Sequence, residues 1–177
     1  MRTGWPGYGR PMAADSLRSS PIPGLSPDDH VRGEGPLVVM YADFTCPRCA
    51  VAWERLDGAG VRLVFRHLAL KAKHPRAVAL ACAVEAAGRQ EAFWSLAAAL
   101  YADHGRIDDP HLWAHLERLG VDVARWEADR RCDAVAERVR RDVRDALRAG
   151  AVATPTLWAG GEMLAGPPDA AWLAALG

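Results

Sequence analysis

The clearest hydrophobic pattern in the chain is a run of six apolar residues from Leu37 to Ala42, which is typical of a buried strand. A helical pattern follows from Ala50 to Trp53, and the turn at residues 57–60, Asp-Gly-Ala-Gly, ends it. Residues 61–67 alternate between inward and outward positions, which predicts a second strand. A strand, a helix and a strand joined this closely predict a parallel, right-handed unit.

The middle of the chain has helical periodicity throughout. An alanine-rich segment at residues 76–87 ends at Gly88, and a second apolar stripe runs from Phe93 to Tyr101. We expect Asp109 to cap a third helix, with a proline at its first position. A last long segment runs from Asp122 to Gly150 with Cys132 on its apolar face. Its opposite face alternates Glu and Arg, which is typical of a solvated surface.

The end of the chain returns to strands. Residues 155–158 and 162–164 flank Gly160-Gly161, which predicts a hairpin, and a short helix follows at residues 170–176. The expected fold is therefore α/β, in the order βαβ, helical insertion, ββα. Residues 1–34 are rich in Gly, Pro and Ser and predict a flexible leader. Residues 35–177 then form one domain, with the helical insertion at about residues 75–148.

Composition narrows the class of protein. The chain has 177 residues, half of them hydrophobic, and zero formal net charge, so we expect one domain that binds neither nucleic acid nor a membrane surface. Four cysteines are too few for a disulfide-stapled secreted scaffold. No apolar run reaches the length of a signal peptide or a membrane span. We therefore expect a cytosolic protein.

Two of the cysteines carry the candidate chemistry. The motif Cys46-Pro47-Arg48-Cys49 lies between the first predicted strand and the helix that follows. At a helix N-terminus the free N–H groups and the helix dipole stabilise a thiolate at Cys46, and Arg48 adds a positive charge. Cys49 lies three residues on, on the same helical face, where it can form a disulfide with Cys46. This arrangement predicts thiol–disulfide exchange.

A structural zinc site is the main alternative for this pair, and it needs two more closely spaced ligands. Cys82 and Cys132 are single residues on predicted helices, so the pattern disfavours zinc, and no cofactor motif is visible. Both cysteines fall on apolar faces, which favours buried inert thiols. A second disulfide between them stays open.

The order of elements, the cysteine motif and Thr154-Pro155 together resemble the thioredoxin fold with a helical insertion, and specifically the DsbA-like family of thiol–disulfide oxidoreductases. The resemblance covers residues 28 to 177. Further segments that carry it are Asp43-Phe44, Phe65-Arg66-His67-Leu68, His74-Pro75, Glu85-Ala86-Ala87-Gly88, Val152-Ala153-Thr154-Pro155-Thr156 and Gly160-Gly161.

The resemblance implies a role for each residue of the site. Cys46 would be the exposed nucleophile and Cys49 the resolving thiol, which releases the mixed disulfide. Pro155 would be a cis proline packed against the pair, and Thr154 would present its backbone to the substrate. The implied substrate-binding set is Pro47, Arg48, Thr154 and Pro155. The implied partners are a protein or low-molecular-weight thiol or disulfide and a redox partner that recycles the cysteines.

One position departs from the family pattern. Members commonly place a buried acid six residues before the first cysteine to take the proton of the resolving thiol, and here that residue is Met40. Asp43 or a water would have to substitute. The Pro-Arg dipeptide favours an oxidising disulfide, whereas a cytosolic location favours reduction of substrates, so the direction stays open. The alternative functions are a reductase or transferase specific for a low-molecular-weight thiol and a non-catalytic redox sensor or adaptor.

Overall fold

The computed structural model describes residues 24–70, 72, 74–103 and 105–177. A five-stranded sheet with the order β1-β3-β2-β4-β5 organises this part of the chain. The strands are β1 (His30–Arg32), β2 (Leu37–Ala42), β3 (Arg62–His67), β4 (Thr156–Ala159) and β5 (Glu162–Ala165). The helices are α1 (Pro47–Leu56), α2 (Ala77–Gly88), α3 (Phe93–Ala102), α4 (Asp109–Arg118), α5 (Val123–Asp129), α6 (Asp133–Arg148) and α7 (Ala170–Ala174).

The central strands follow the predicted topology. β2 and β3 are parallel, with Leu37 opposite Arg62 and Ala42 opposite His67, and α1 makes the crossover between them. β4 pairs antiparallel with β2, and β5 pairs antiparallel with β4 as a hairpin. The C-terminal end of β2, where the cysteine motif begins, therefore lies beside the start of β4.

The core explains why β2 is apolar without interruption. Val38 and Met40 pack on one face of the sheet with residues of α1, α2 and α3, whereas Val39 and Tyr41 pack on the other face with Trp158 and part of α6. A strand covered on both faces needs apolar side chains at every position. Within the described residues, no helix combines the length and the apolar character that a bilayer crossing requires.

The sheet starts earlier than the sequence pattern predicts. β1 lies inside the segment predicted as a flexible leader of residues 1–34, and it pairs antiparallel with β3. Three residues are too few for a periodic pattern, and long-range contacts hold the strand instead. Arg32 pairs with Asp57 at 2.9 Å and its guanidinium lies 4.3 Å from the Trp53 ring centroid. The part of the predicted leader at residues 1–23 lies outside the described residues.

The last long helical segment is two helices, α5 and α6, instead of the single one predicted from Asp122 to Gly150. The chain turns at residues 130–132, and Cys132 is the N-cap of α6. Both helices pack on α2, and Trp126 of α5 donates from its indole N–H to the Ala83 carbonyl at 2.7 Å. That buried contact fixes α5 separately from α6. Helical periodicity alone does not reveal this break between the two helices.

The cap of α4 also differs by one residue from the prediction. Asp108, not Asp109, is the N-cap, and its side chain accepts a hydrogen bond from the backbone N–H of His111. Both residues are aspartates, so composition does not distinguish them. The other helices begin and end within a few residues of their predicted bounds.

Candidate active site

A short turn joins β2 to α1 and sets the position of Cys46. The Asp43 carboxylate accepts hydrogen bonds from the backbone N–H of Thr45 at 2.8 Å and from the Thr45 hydroxyl at 2.7 Å. The backbone N–H of Cys46 donates to the Asp43 carbonyl at 3.1 Å. Cys46 is the N-cap of α1 and Pro47 is the first helical residue. The sulfur thus lies where the free N–H groups of the helix can reach it.

A second loop, far away in sequence, completes the site. The peptide bond between Thr154 and Pro155 is cis, and β4 begins at the next residue. The Thr154 carbonyl oxygen lies 3.5 Å from the Cys46 sulfur, where it accepts a hydrogen bond when Cys46 is a protonated thiol. Pro155 is buried and Thr154 is half-buried. The structure therefore brings the cysteine motif and the Thr-Pro loop together.

Cys46 is recessed, whereas the resemblance implied an exposed nucleophile. Only 8% of Cys46 is exposed, and Cys49 is fully buried. Cys46 opens into a cavity of about 240 Å³. The other residues that line this cavity are Phe44, Thr45, Pro47, Ala50, Tyr101, Gly105 and Ile107. Residues from the helical insertion thus form one wall and cover the sulfur.

The surroundings of Cys46 favour its charged form. Its pKa is lowered from the ordinary value of 9.0 to about 5, mainly because the Cys49 thiol donates a hydrogen bond to its sulfur. Burial opposes this effect, and the Thr154 side chain and the backbone N–H groups of Cys49 and Arg48 add to it. The donors outweigh the burial, so Cys46 is a thiolate at neutral pH.

The surroundings of Cys49 have the opposite effect. Burial raises the pKa of its thiol well above the ordinary value, and its hydrogen bond to Cys46 and the nearby Cys46 charge raise it further. The backbone N–H of Asp43 donates to the Cys49 sulfur at 3.5 Å. Neither cysteine is part of a disulfide here. The site therefore holds one ionised and one protonated sulfur side by side.

Arg48 contributes differently from the sequence-based prediction. Its side chain is exposed and lies against Gly166, where an added Cβ would collide with the guanidinium. It acts on the pKa of Cys46 through its backbone N–H, which is one of the donors to the thiolate. Pro47 is exposed beside it, so both residues of the dipeptide are open to contact with another molecule.

Tyr101 is a site residue that the sequence pattern assigned only to an apolar stripe. Its side chain lines the cavity at Cys46, and its pKa is raised well above the ordinary value by burial and by the charges of Cys49, Asp43 and Cys46. A tyrosine on an otherwise apolar helical face was the available signal, since its hydroxyl needs a polar neighbour when buried.

The other two cysteines lie apart from the site. Cys82 is buried in a separate apolar cluster, half-buried Cys132 packs against the same cluster, and both are free thiols. Within the part of the chain that the structure describes, the one group of three potential metal ligands consists of His67, Glu85 and Asp142 and includes no cysteine.

That buried polar group is already paired within the protein. Glu85 accepts hydrogen bonds from the rings of His67 at 2.7 Å and His30 at 2.9 Å. Arg138 lies 3.2 Å from Asp142 and 3.6 Å from Glu85. A cation there would face the arginine, so these residues fit a structural ion-pair network better than a metal site.

Comparisons with known proteins agree with the fold, and the matches cover different lengths of this chain. Residues 58–175 match the family described as the DSBA-like thioredoxin domain, a region that begins after the cysteine motif. The Na(+)/H(+) antiporter NhaA of Herminiimonas arsenicoxydans is 38% identical in an alignment 158 residues long that covers 84% of this chain and 25% of that protein. The chain thus spans about a quarter of the length of the curated relatives it matches.

Two solved structures are similar at low identity. A thioredoxin-like oxidoreductase from Silicibacter pomeroyi DSS-3 superposes with a TM-score of 0.77 at 22% identity, over 91% of this chain and 95% of that one. The thiol-disulfide exchange protein α-DsbA2 from Wolbachia pipientis has a TM-score of 0.70 at 16% identity, over 82% of each chain. At such identities the likeness concerns the fold, and the expected thioredoxin-like α/β fold is confirmed.

Proposed function

The chain belongs to the DSBA-like thioredoxin domain family, and on that premise we propose that it is a thiol–disulfide oxidoreductase that uses Cys46 and Cys49. The observation that carries the proposal is the contrast between the two sulfurs. The pKa of Cys46 is lowered to about 5, and that of buried Cys49 is raised. One cysteine is thus ready to attack a substrate, and the other is held back for a later step.

The reaction consists of two exchanges. The Cys46 thiolate attacks a substrate disulfide, so that a bond forms between Cys46 and one substrate sulfur while the other leaves as a thiolate. Cys49 then loses its proton and attacks the Cys46 sulfur. The mixed disulfide breaks, the second substrate thiolate leaves, and a Cys46–Cys49 disulfide forms. The substrate is reduced and the protein is oxidised, and the reverse sequence oxidises a dithiol.

The low pKa of Cys46 bears on the direction of turnover. A stabilised thiolate stabilises the reduced protein and makes its disulfide more oxidising. We therefore favour transfer of the disulfide to substrate dithiols, with a separate partner that reoxidises the pair. A redox titration against glutathione measures this directly, and a potential as low as that of a reducing thioredoxin contradicts it.

We assign substrate contact to the four residues around the sulfur. Pro47 and Arg48 are exposed at the start of α1, and Thr154 and Pro155 face Cys46 from the opposite loop. A substrate strand that reaches Cys46 has to pass between them, and the Thr154 backbone offers it hydrogen bonds. Arg48→Ala is expected to raise KM for a peptide disulfide more than it lowers kcat.

Cys46→Ser tests the function most directly. We expect complete loss of insulin reduction and of thiol oxidation, because a serine hydroxyl does not replace the thiolate. Cys82→Ser is the matched control, since Cys82 is buried in a separate cluster, and it should keep wild-type turnover. Cys49→Ser should accumulate a mixed disulfide on Cys46. If Cys46→Ser turns over like the wild type, Cys46 is not the nucleophile.

A specific observation supports a low-molecular-weight thiol as a second candidate substrate. A larger cavity of about 590 Å³ adjoins the one at Cys46 and shares Pro47, Ala50 and Tyr101 with it. Cavities of this size hold small ligands. Glutathione disulfide is the favoured substrate if it is turned over faster than a protein disulfide and if Trp53→Ala, in the larger cavity, slows that turnover. The opposite preference favours protein substrates. A redox sensor differs from both kinds of enzyme because it does not turn over repeatedly.

The location and the antiporter relatives are separate questions. The cytosol stays our prediction for the compartment, and cell fractionation with alkylation trapping of Cys46 checks it.

The relatives named Na(+)/H(+) antiporters suggest a membrane antiporter as a partner of the redox reaction. Proton flux in liposomes that contain the Herminiimonas arsenicoxydans antiporter should then differ between added oxidised and reduced protein, and equal flux excludes that partner.

A further inference from the structure

Release of the mixed disulfide needs a group that takes the proton of Cys49. This thiol is fully buried and keeps its proton, because burial raises its pKa. Among the described residues, Cys46 lines the cavity beside it and Cys49 does not. A protonated thiol attacks a disulfide very slowly, since the thiolate is the nucleophile. A buried base beside Cys49 would remove this barrier.

Asp43 contacts Cys49 through its backbone. Its backbone N–H donates to the Cys49 sulfur at 3.5 Å, and its charge is one of the causes that raise the pKa of that thiol. Only 3% of Asp43 is exposed. One carboxylate oxygen, Oδ1, accepts both hydrogen bonds from Thr45, whereas Oδ2 is buried and has no hydrogen-bond partner among the described residues.

A buried carboxylate oxygen without a donor is costly, and such groups occur where chemistry needs them. The turn between β2 and α1 uses only Oδ1, so the structural role of the side chain leaves Oδ2 unexplained. An oxygen of this kind is suited to accept a proton from a neighbouring thiol, either directly or through one water.

The other groups around Cys49 do not serve as the base. Met40 is buried and apolar, and the Cys46 sulfur is bonded to substrate when the proton must leave. Tyr101 holds its own proton, because burial and the nearby Cys49, Asp43 and Cys46 charges raise its pKa.

We propose that Asp43 is the general base that accepts the Cys49 proton when the mixed disulfide is released, an inference that rests on the proposed function. As the S–H bond of Cys49 breaks, its proton moves to Oδ2 and its electron pair attacks the Cys46 sulfur. The Cys46–substrate bond breaks, and the substrate leaves as a thiolate. Asp43 then passes the proton to that thiolate or to water in the cavity. In the reverse reaction, Asp43 returns the proton to Cys49.

Asp43→Asn tests this assignment, because asparagine keeps the Oδ1 acceptor for Thr45 and removes the base. Reduced protein is mixed in a stopped-flow instrument with dithiobis-nitrobenzoate, an aromatic disulfide whose released thiolate absorbs visible light. The first release reports attack by Cys46, and the second reports attack by Cys49. A Cys46→Ser/Cys49→Ser protein supplies the background from the remaining cysteines. The control is Asp122→Asn, the same change at a helix cap outside the site.

The two phases should respond differently. We expect a first phase within about twofold of wild type and a second phase slowed about a hundredfold at neutral pH, the range of general-base catalysis. The slowed phase should recover in proportion to hydroxide concentration, while wild type stays flatter. The ionisable side chains that interact electrostatically with Cys49 are Asp43, Cys46 and Tyr101, and the Cys46 thiolate is followed separately through the first phase.

The other outcomes contradict either the role of Asp43 or the proposed function. A second phase at the wild-type rate, or equal slowing of both phases, means that Asp43 acts only through the turn. If wild type gives no first phase, or Cys46→Ser retains it, the proposed function itself fails. If Asp43→Asn does not fold, Asp43→Ser replaces it, because a serine oxygen can still accept the Thr45 N–H. The expected split between the phases is the same.

Discussion

Replacing Cys49 by alanine should raise the pKa of Cys46, because the Cys49 thiol is the main group that lowers it. The alanine keeps the backbone N–H of residue 49, so the change removes the side-chain hydrogen bond and leaves the backbone donors of α1 in place. Thr154→Val, which removes a weaker side-chain contribution, is the matched comparison. We expect a clearly larger effect from the Cys49 change.

The size of the effect follows from the wild-type value. With a pKa of about 5, roughly 99% of Cys46 is thiolate at neutral pH. Loss of one strong hydrogen bond to a charged group shifts a pKa by about one to two units, so Cys46 in Cys49→Ala should titrate between about 6 and 7. Thr154→Val should shift the pKa by less than about one unit.

The assay is the rate of alkylation of Cys46 by iodoacetamide as a function of pH, followed by mass spectrometry so that Cys82 and Cys132 do not interfere. The midpoint of the profile gives the pKa. The plateau at alkaline pH should rise a few-fold in Cys49→Ala, because a more basic thiolate is more nucleophilic. An unchanged midpoint, or a larger shift in Thr154→Val, would show that the backbone and the loop, and not the second thiol, stabilise the charge.

Two further predictions concern the core that supports the site. Glu85→Ala should lower the free energy of unfolding at neutral pH by about 3–5 kcal/mol, because it leaves His67 and its other partners buried without their carboxylate. Burial raises the pKa of Glu85, but its hydrogen bonds to His30 and His67 outweigh this and hold the pKa below the ordinary 4.5. This stabilisation is therefore present above pH 4.5 and is lost as the pH falls below it, so urea curves for both proteins should converge in acid. Trp126→Phe should cost about 1–3 kcal/mol because the Ala83 carbonyl loses its donor. Exposed Trp113→Phe is its control, with a change within about 0.5 kcal/mol, and equal losses in the two tryptophan variants would contradict the prediction.

Some features of this protein follow from local sequence alone. The uninterrupted apolar run of β2 predicts a strand buried on both faces, and the glycines after α1 and within the terminal hairpin mark the turns. The motif at residues 46–49 predicts a thiolate at a helix N-terminus, because the relevant donors belong to the same helix. Local hydrogen bonding and side-chain periodicity determine these features, so a short stretch of sequence contains the necessary information.

Other features depend on contacts between distant segments. β1 is held by its pairing with β3 and by contacts of Arg32 with side chains of other segments. The break before α6 follows from how α5 and α6 dock on α2. Tyr101 and Ile107 of the insertion line the cavity at Cys46 and help to bury it. The Arg48 guanidinium lies against Gly166. The buried, unpartnered oxygen of Asp43 is visible only when the residues around it are known. Burial and the distance between groups set the charge and access of each sulfur, and both are properties of the packed chain.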